Sequence, residues 1–277
     1  MIVRSGREEG IPYSLSRWTD VPAAKWAWME QSIRERKMIA FDPRNAIPNE
    51  WSLKPEDTLG LVFWTKYPDP LIEAAWLKDY RFHVHITVTG WHEVEHKAPD
   101  LKRGKIGLYV AARELGPENV TWRFSPVPLV PDVVDRFDEI AEMASAAGLR
   151  RVFLSFLQTN DNISETRSRE DRLETLLRIN ERAEKRGVRV LLCNEDSLLS
   201  KIDGLPANLG SGVCAPPEDF ALPGMNRPPS EGCGCVLMAD PFTINETCIY
   251  GCEFCYAADK SLAPKKRNTT KGLPIVT

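Results

Sequence analysis

The chain has 277 residues, 43% hydrophobic and 27% charged, with 36 basic against 39 acidic side chains and a net charge of −3. This composition excludes a disordered or collagen-like chain, and the length suits one large domain or two small ones. The charge balance lacks the basic excess of a general duplex binder, which leaves room only for a local nucleic-acid groove.

The opening stretch MIVRSGREEG has no apolar segment, which predicts no secretory signal. No apolar run approaches the ~18 residues of a membrane span. The chain therefore reads as cytoplasmic, with no membrane partner.

Strand-like runs recur along the chain, each followed by a helical pattern. Tyr13–Asp20 reads as a strand. Val21–Lys37 reads as a helix, with Asp20 as N-cap and Pro22 in the first turn. Gly60–Lys66 is a strand and Pro70–Lys78 a short helix. Phe82–Gly90 alternates strictly, as a strand does. Gly104–Gly116 is helical. Val120–Pro126 leads into an amphipathic helix over Pro131–Gly148. Arg151–Thr159 leads into a helix over Ser168–Arg186, and Val188–Glu195 is the sixth strand. Six alternations predict a parallel α/β fold, closed as a full or partial barrel or open and doubly wound. The missing glycine-rich loop after the first strand weighs against a dinucleotide fold.

The texture changes after Leu199. Residues 201–235 hold six Pro and six Gly, too many for regular elements. Val236–Phe242 reads as one more strand. The expected organisation is a β/α core over residues 1–200, a cysteine-rich segment over 201–260, and a locally basic tail over 261–277.

Seven cysteines stand at 193, 214, 233, 235, 248, 252 and 255. An odd, clustered set in a reducing compartment points to metal or iron–sulfur chemistry, not to a disulfide framework. Cys248, Cys252 and Cys255 form C-x₃-C-x₂-C. A four-iron cluster takes four ligands, normally thiolates, so three leave one iron open. Cys193, Cys214, Cys233 and Cys235 form a candidate second site for a 4Fe-4S cluster or zinc. The competing readings are a structural zinc at the first group and free thiols at the second.

The C-x₃-C-x₂-C loop, with Phe254 before its last cysteine, resembles the signature of the radical SAM superfamily. The wider chain resembles an uncharacterised radical-SAM-like family. The similar stretches are Ser16–Ala23, Val62–Lys66, Trp122-Arg123, Cys233-Gly234-Cys235 and the loop ending Cys255-Tyr256-Ala257. The chain departs from that pattern at Tyr67 and Ser125, in place of Asn and Asp. The ending CEFCYA is similar to the cluster loop of the spore-photoproduct-lyase group, which lends a slight lean toward a nucleotide or nucleic-acid substrate. The resemblance implies a 4Fe-4S cluster, S-adenosylmethionine, and an electron donor such as a flavodoxin or ferredoxin. It implies that Phe254 and Tyr256 flank the adenosylmethionine. It also implies circular permutation, because the superfamily's cluster loop follows the first strand and here lies near the C-terminus.

Candidate site residues follow from strand alternation. His83, His85, Thr87 and Thr89 share one face of their strand, and a polar face on a buried parallel strand suggests an interior cavity. Lys66, Arg123 and Gln158 lie in or just after strands, as does Arg17. Lys66, His83, His85, Arg123 and Glu195 are the candidate catalytic groups. Arg17, Gln158 and Asn194 are candidate cofactor contacts. His92–His96 spells H-E-x-x-H, but it follows a strand and precedes Pro99, which predicts a charged loop and not a metalloprotease helix.

Overall fold

The computed structural model describes residues 2–4, 10–16, 19–41, 48–157, 168–193, 195–216, 234–236, 238–240 and 248–255. In chain order the strands are β1 (Ile2–Arg4), β2 (Ile11–Ser14), β3 (Lys37–Phe41), β4 (Pro48–Ser52), β5 (Thr58–Thr65), β6 (Phe82–Thr87), β7 (Val120–Val127), β8 (Arg151–Phe156), β9 (Arg189–Leu192) and β10 (Leu209–Ser211). The α-helices are α1 (Val21–Ala24), α2 (Trp26–Arg34), α3 (Asp69–Glu73), α4 (Leu101–Leu115), α5 (Val133–Ala146), α6 (Arg169–Lys185) and α7 (Asp196–Leu199).

Seven strands form one parallel sheet in the order β10-β9-β8-β7-β6-β5-β2. Each strand lies beside its predecessor in this sheet, and the order never reverses. Right-handed crossovers then carry the long helices to one face of the sheet. The doubly wound alternative needs a reversal of strand order, which the sheet does not contain.

Alternation sorts the side chains onto two faces. Phe63, Val84, Ile86, Trp122, Phe124, Val152 and Leu154 face Leu108 and Ala112 of α4, Phe137 and Ile140 of α5, and Leu176 and Ile179 of α6, in one continuous core. Val62 and Phe153 belong to a second cluster with Cys214, Ala215, Cys235 and Val236; Trp64 and Leu191 pack against it. The inner face is thus filled by chain that follows β10.

The structure corrects several expected boundaries. The strand expected over Tyr13–Asp20 is β2, Ile11–Ser14. The helix expected over Val21–Lys37 breaks at Lys25, between α1 and α2. Asp20 caps α1 as expected, its Oδ1 accepting from the Ala23 amide at 3.2 Å. Arg36, at φ 54°, turns the chain out of α2. Lys37 then starts β3, which pairs antiparallel with β4 in a separate sheet of order β1-β4-β3. The short helix after β5 is α3 plus a 3₁₀ turn over 75–79. The fourth helix starts earlier than expected, at Leu101, because the Asp100 side chain accepts from the Arg103 amide at 2.7 Å. The sixth strand of the expected series shortens to Arg189–Leu192. Of the strand expected over Val236–Phe242, the described residues contain one parallel bridge, Ala239 to Tyr13. There Ser14 N donates to Ala239 O and Ala239 N to Pro12 O, both at 2.9 Å. Among the described residues, no helix is long and apolar enough to cross a membrane.

Trp122 is fully buried, stacks on Phe137 at 5.0 Å, and donates from Nε1 to Val88 O at 3.0 Å. Trp122→Ala empties the contact between β7 and α5 and costs about 3–5 kcal/mol. Trp122→Phe keeps most of the apolar contact and costs less. Urea unfolding of the two variants beside the parent checks the ranking.

Candidate functional site

Parallel strands deliver their C-terminal ends to one edge of the sheet, and the candidate residues gather there and on the inner face. The buried carboxylate of Asp20 ties the start of α1 to the end of β5. Its Oδ1 accepts from Thr65 Oγ1 at 2.8 Å, and its Oδ2 accepts from the Lys66 amide at 2.8 Å. Burial outweighs these bonds and pushes its pKa up to about 6.

Lys66 continues from β5 and places its Nζ 2.8 Å from Glu95 Oε1. Glu95 Oε2 accepts from Thr89 Oγ1 at 2.7 Å, and Glu95 is 3% exposed. Burial alone would lower the Lys66 ammonium, but the charges of Glu95 and then Cys252 hold it above its usual value. This is a buried ion pair against the cysteine loop.

The loop itself docks on the turn after β6. Glu253 N donates to Val94 O at 3.0 Å, Lys97 N to Tyr250 O at 3.3 Å, and His96 Nε2 meets Glu253 Oε1 at 2.9 Å. Burial pushes the Cys252 thiol up to about 12; Lys66 opposes that rise, while Glu95, Cys255 and Cys248 add to it. Burial likewise raises Cys248 and the Tyr250 phenol, the latter beside Asp20. Cys248, Cys252 and Cys255 therefore share one electrostatic neighbourhood over the ends of β2, β5 and β6. Phe254 lines a pocket of ≈ 160 Å³ with Trp91, Pro126, Pro128, Val130 and Leu157, from the segments that follow β6, end β7 and follow β8. Arg136 also lines it, its guanidinium 4.5 Å from the Trp91 ring centre.

A second group forms on the inner face. Cys193 and Cys214 bring their sulfurs to 3.4 Å, and Arg123 Nη1 donates to Cys214 Sγ at 3.3 Å. Hydrogen bonds from Cys193 and then Cys235, with Arg123 and His85 nearby, hold the Cys214 thiol far below its usual range despite burial. His85 Nε2 meets Cys214 O at 2.9 Å, which assigns the ring proton to that nitrogen and leaves Nδ1 bare. Its ring stacks on Trp64 at 5.3 Å. His83 Nε2 meets Thr121 Oγ1 at 2.8 Å. Burial drives His83 well below its ordinary value and His85 down to about 4.

The expected catalytic set thus divides. Lys66 joins the three-cysteine loop; His83, His85 and Arg123 join the inner-face group, where they meet Cys214 and Thr121 in place of the expected open cavity. Among the described residues, no hydrogen bond joins Glu195 to either set; it is buried, and its Oε1 accepts from the Phe156 amide at 3.2 Å. Burial raises its carboxyl. Arg17, Gln158, Asn194, Tyr256 and Cys233 lie outside the described residues. Among the described residues, no three histidine, cysteine or carboxylate groups are arranged to hold one metal ion. In H-E-x-x-H, His92 accepts from the Leu101 amide at 3.1 Å while His96 meets Glu253, so the two rings serve different partners. Sequence reasoning missed Asp20 as more than a cap, and missed Glu95 and Thr89 as partners of Lys66. Their position just past strand ends was the available signal.

A family model described as a domain of unknown function (DUF1848) matches residues 13–257. No curated protein and no solved structure matches the chain.

Two predictions rest on this charge arrangement. Glu95→Gln leaves the Lys66 ammonium buried without its counter-charge and destabilises the fold by about 3–5 kcal/mol, read by chemical unfolding at neutral pH. The second concerns acid. His85 stays neutral in the fold down to about pH 4 but charges near 6.5 when unfolded. Its stabilisation is present above 6.5 and lost as pH falls through about 4. The His85→Gln variant flattens stability against pH in that window by up to about 1.4 kcal/mol per pH unit. Asp20 works in the opposite sense, its contribution present below about pH 4 and lost as pH rises through about 6. Asp20→Asn therefore removes a slope of opposite sign.

Proposed function

The chain belongs to the DUF1848 family of domains of unknown function, and we propose that it is a radical SAM-like enzyme built on Cys248, Cys252 and Cys255. One observation carries the reading. The three thiols sit together over the strand ends, and Phe254 from the same loop lines the adjoining pocket. Three cysteine thiolates are the donor set that a four-iron cluster with one open iron takes.

Cys248, Cys252 and Cys255 would hold a 4Fe-4S cluster, which together with S-adenosylmethionine would supply one-electron cleavage of a sulfonium and abstraction of a substrate hydrogen. The remaining work belongs to the chain. Lys66, held by Glu95, sets a positive charge beside Cys252 and favours its thiolate. Asp20 fixes the start of α1 and the end of β5 under the loop. Phe254, Trp91, Pro126 and Leu157 give the pocket an apolar wall that excludes water and suits a flat ring. Glu93, Asp132 and Arg136 supply its polar contacts.

The sequential sheet, with Ala239 beside β2, supports a parallel barrel, full or partial. In that reading, circular permutation has moved the usual first strand and its cluster loop to the end of the chain. The reaction needs an electron donor of the flavodoxin or ferredoxin kind. The lean toward a nucleotide or nucleic-acid substrate rests on the CEFCYA resemblance alone.

The competing reading is an iron–sulfur or zinc protein without catalysis, in which the cysteines are structural or redox-sensing and the fold binds nucleic acid or a partner. The filled inner face favours it, because His83, His85 and Arg123 spend their polar atoms on the protein itself.

Electron paramagnetic resonance on anaerobically reconstituted, dithionite-reduced protein separates the two. The enzyme reading expects a reduced-cluster signal that shifts with S-adenosylmethionine, is lost in Cys252→Ala, and shifts less in Phe254→Ala. A signal indifferent to S-adenosylmethionine, or zinc in place of iron, overturns it.

A further inference from the structure

The inner face carries the sulfurs of Cys193, Cys214 and Cys235, none of them part of the three-cysteine loop, and the first two are in direct contact. Cys193 follows β9 directly, and Cys214 comes three residues after β10. Their Sγ atoms are 3.4 Å apart. At this distance one sulfur donates to the other, so the pair shares a proton. The Arg123 guanidinium, buried between β6 and β8, donates to both.

We propose that Cys193 and Cys214 are a redox-active dithiol, closing reversibly to a disulfide with a small-molecule disulfide as oxidant. The inference is independent of the iron–sulfur reading of the loop at 248–255. Only a short approach separates the contact from a bond, since a disulfide needs about 2.05 Å.

Cys193 is part-exposed and Cys214 is buried, so an oxidant from solvent meets Cys193 first. As the Cys193 sulfur attacks, its proton passes to Cys214. The oxidant's S–S bond breaks and one thiolate leaves. Cys214 gives the proton to that leaving thiolate and attacks the Cys193 sulfur of the mixed disulfide, expelling the second thiolate. The pair loses two electrons and its one shared proton; the oxidant departs as one thiol and one thiolate. Arg123 faces the sulfurs throughout and stabilises the anion at Cys214. The bond would fasten β9 to the segment that covers the inner face, where Cys214 O already meets His85 and Ala215 O accepts from Val236 N.

The sequence makes the test direct. Cleavage before aspartate leaves Cys193 alone in residues 171–195 and Cys214 alone in 203–218, while 219–239 carries Cys233 and Cys235 and 240–258 carries the loop. The full chain, prepared without oxygen, is equilibrated over a range of reduced-to-oxidised glutathione ratios. It is then quenched in acid, alkylated, cleaved and weighed by mass spectrometry. The expected result is a linked 171–195/203–218 species that grows as the buffer becomes more oxidising and vanishes when the buffer is returned. Arg123→Gln, which removes the cation, slows its formation by roughly tenfold or more. Three results overturn the proposal: no such link at any ratio, a link from 203–218 to 219–239 in its place, or a stoichiometric metal ion that protects both thiols from alkylation. The loop's fate is read separately in 240–258, so loss of a cluster there does not imitate any of these.

Discussion

A parallel sheet wound in one direction has helices for only one of its faces. The other face must be filled by something else, and everything distinctive about this molecule follows from what fills it. Here the filling comes from the chain after β10, with Cys214, Ala215, Cys235 and Val236 packed on Val62 and Phe153. The strands beneath are not apolar on that side. β6 contributes His83 and His85, and β7 contributes Thr121 and Arg123. Each polar atom there needs a partner, because burial without one costs free energy. Cys214 answers two of those needs at once, its carbonyl meeting His85 and its sulfur meeting Arg123.

The strand ends meet a related demand differently. Asp20 and Glu95 are buried and Lys66 nearly so, yet each charge is balanced within a few ångströms. The Asp20 carboxylate is bonded by Thr65 and two backbone amides, and Lys66 and Glu95 neutralise one another. The result is a polar floor made from the start of α1, the end of β5 and the turn after β6. The cysteine loop rests on it through Cys248 and Cys252, which respond to Asp20 and to Lys66 respectively. A buried ion pair is poor evidence of stability on its own account. Its value here is positional: it holds one positive charge beside a sulfur that burial would otherwise keep protonated.

Much of the sheet was legible because a half-polar parallel strand has an unmistakable period. Phe82–Thr87 alternates two histidines with apolar residues, and the long helices carry apolar stripes that match their strands. β10 was not legible, since Leu-Gly-Ser has neither length nor pattern. The small sheet of β1, β3 and β4 was hidden because Lys37–Phe41 continues the apolar spacing of α2; only the left-handed Arg36 breaks it, and arginine gives no warning of that conformation. The cysteines were legible as two groups by spacing. Their partners were not. Arg123 and Cys214 are 91 residues apart, His85 and Cys214 129, and Asp20 and Thr65 45. Glu95 looked like part of a charged loop, and only the fold shows that it is the one carboxylate of that stretch that turns inward to a lysine.

The two cysteine groups end in opposite electrostatic states, and the difference has a simple origin. Cys252 and Cys248 are desolvated more than they are compensated, so their protons are held. Cys214 already has its positive centre in Arg123, and neighbouring sulfurs to donate to it. A guanidinium fixed beside a thiol lowers its pKa and favours the nucleophilic thiolate. One fold thus supplies two kinds of sulfur: a set at the strand ends whose charge burial opposes, and a pair on the inner face whose charge a fixed guanidinium favours.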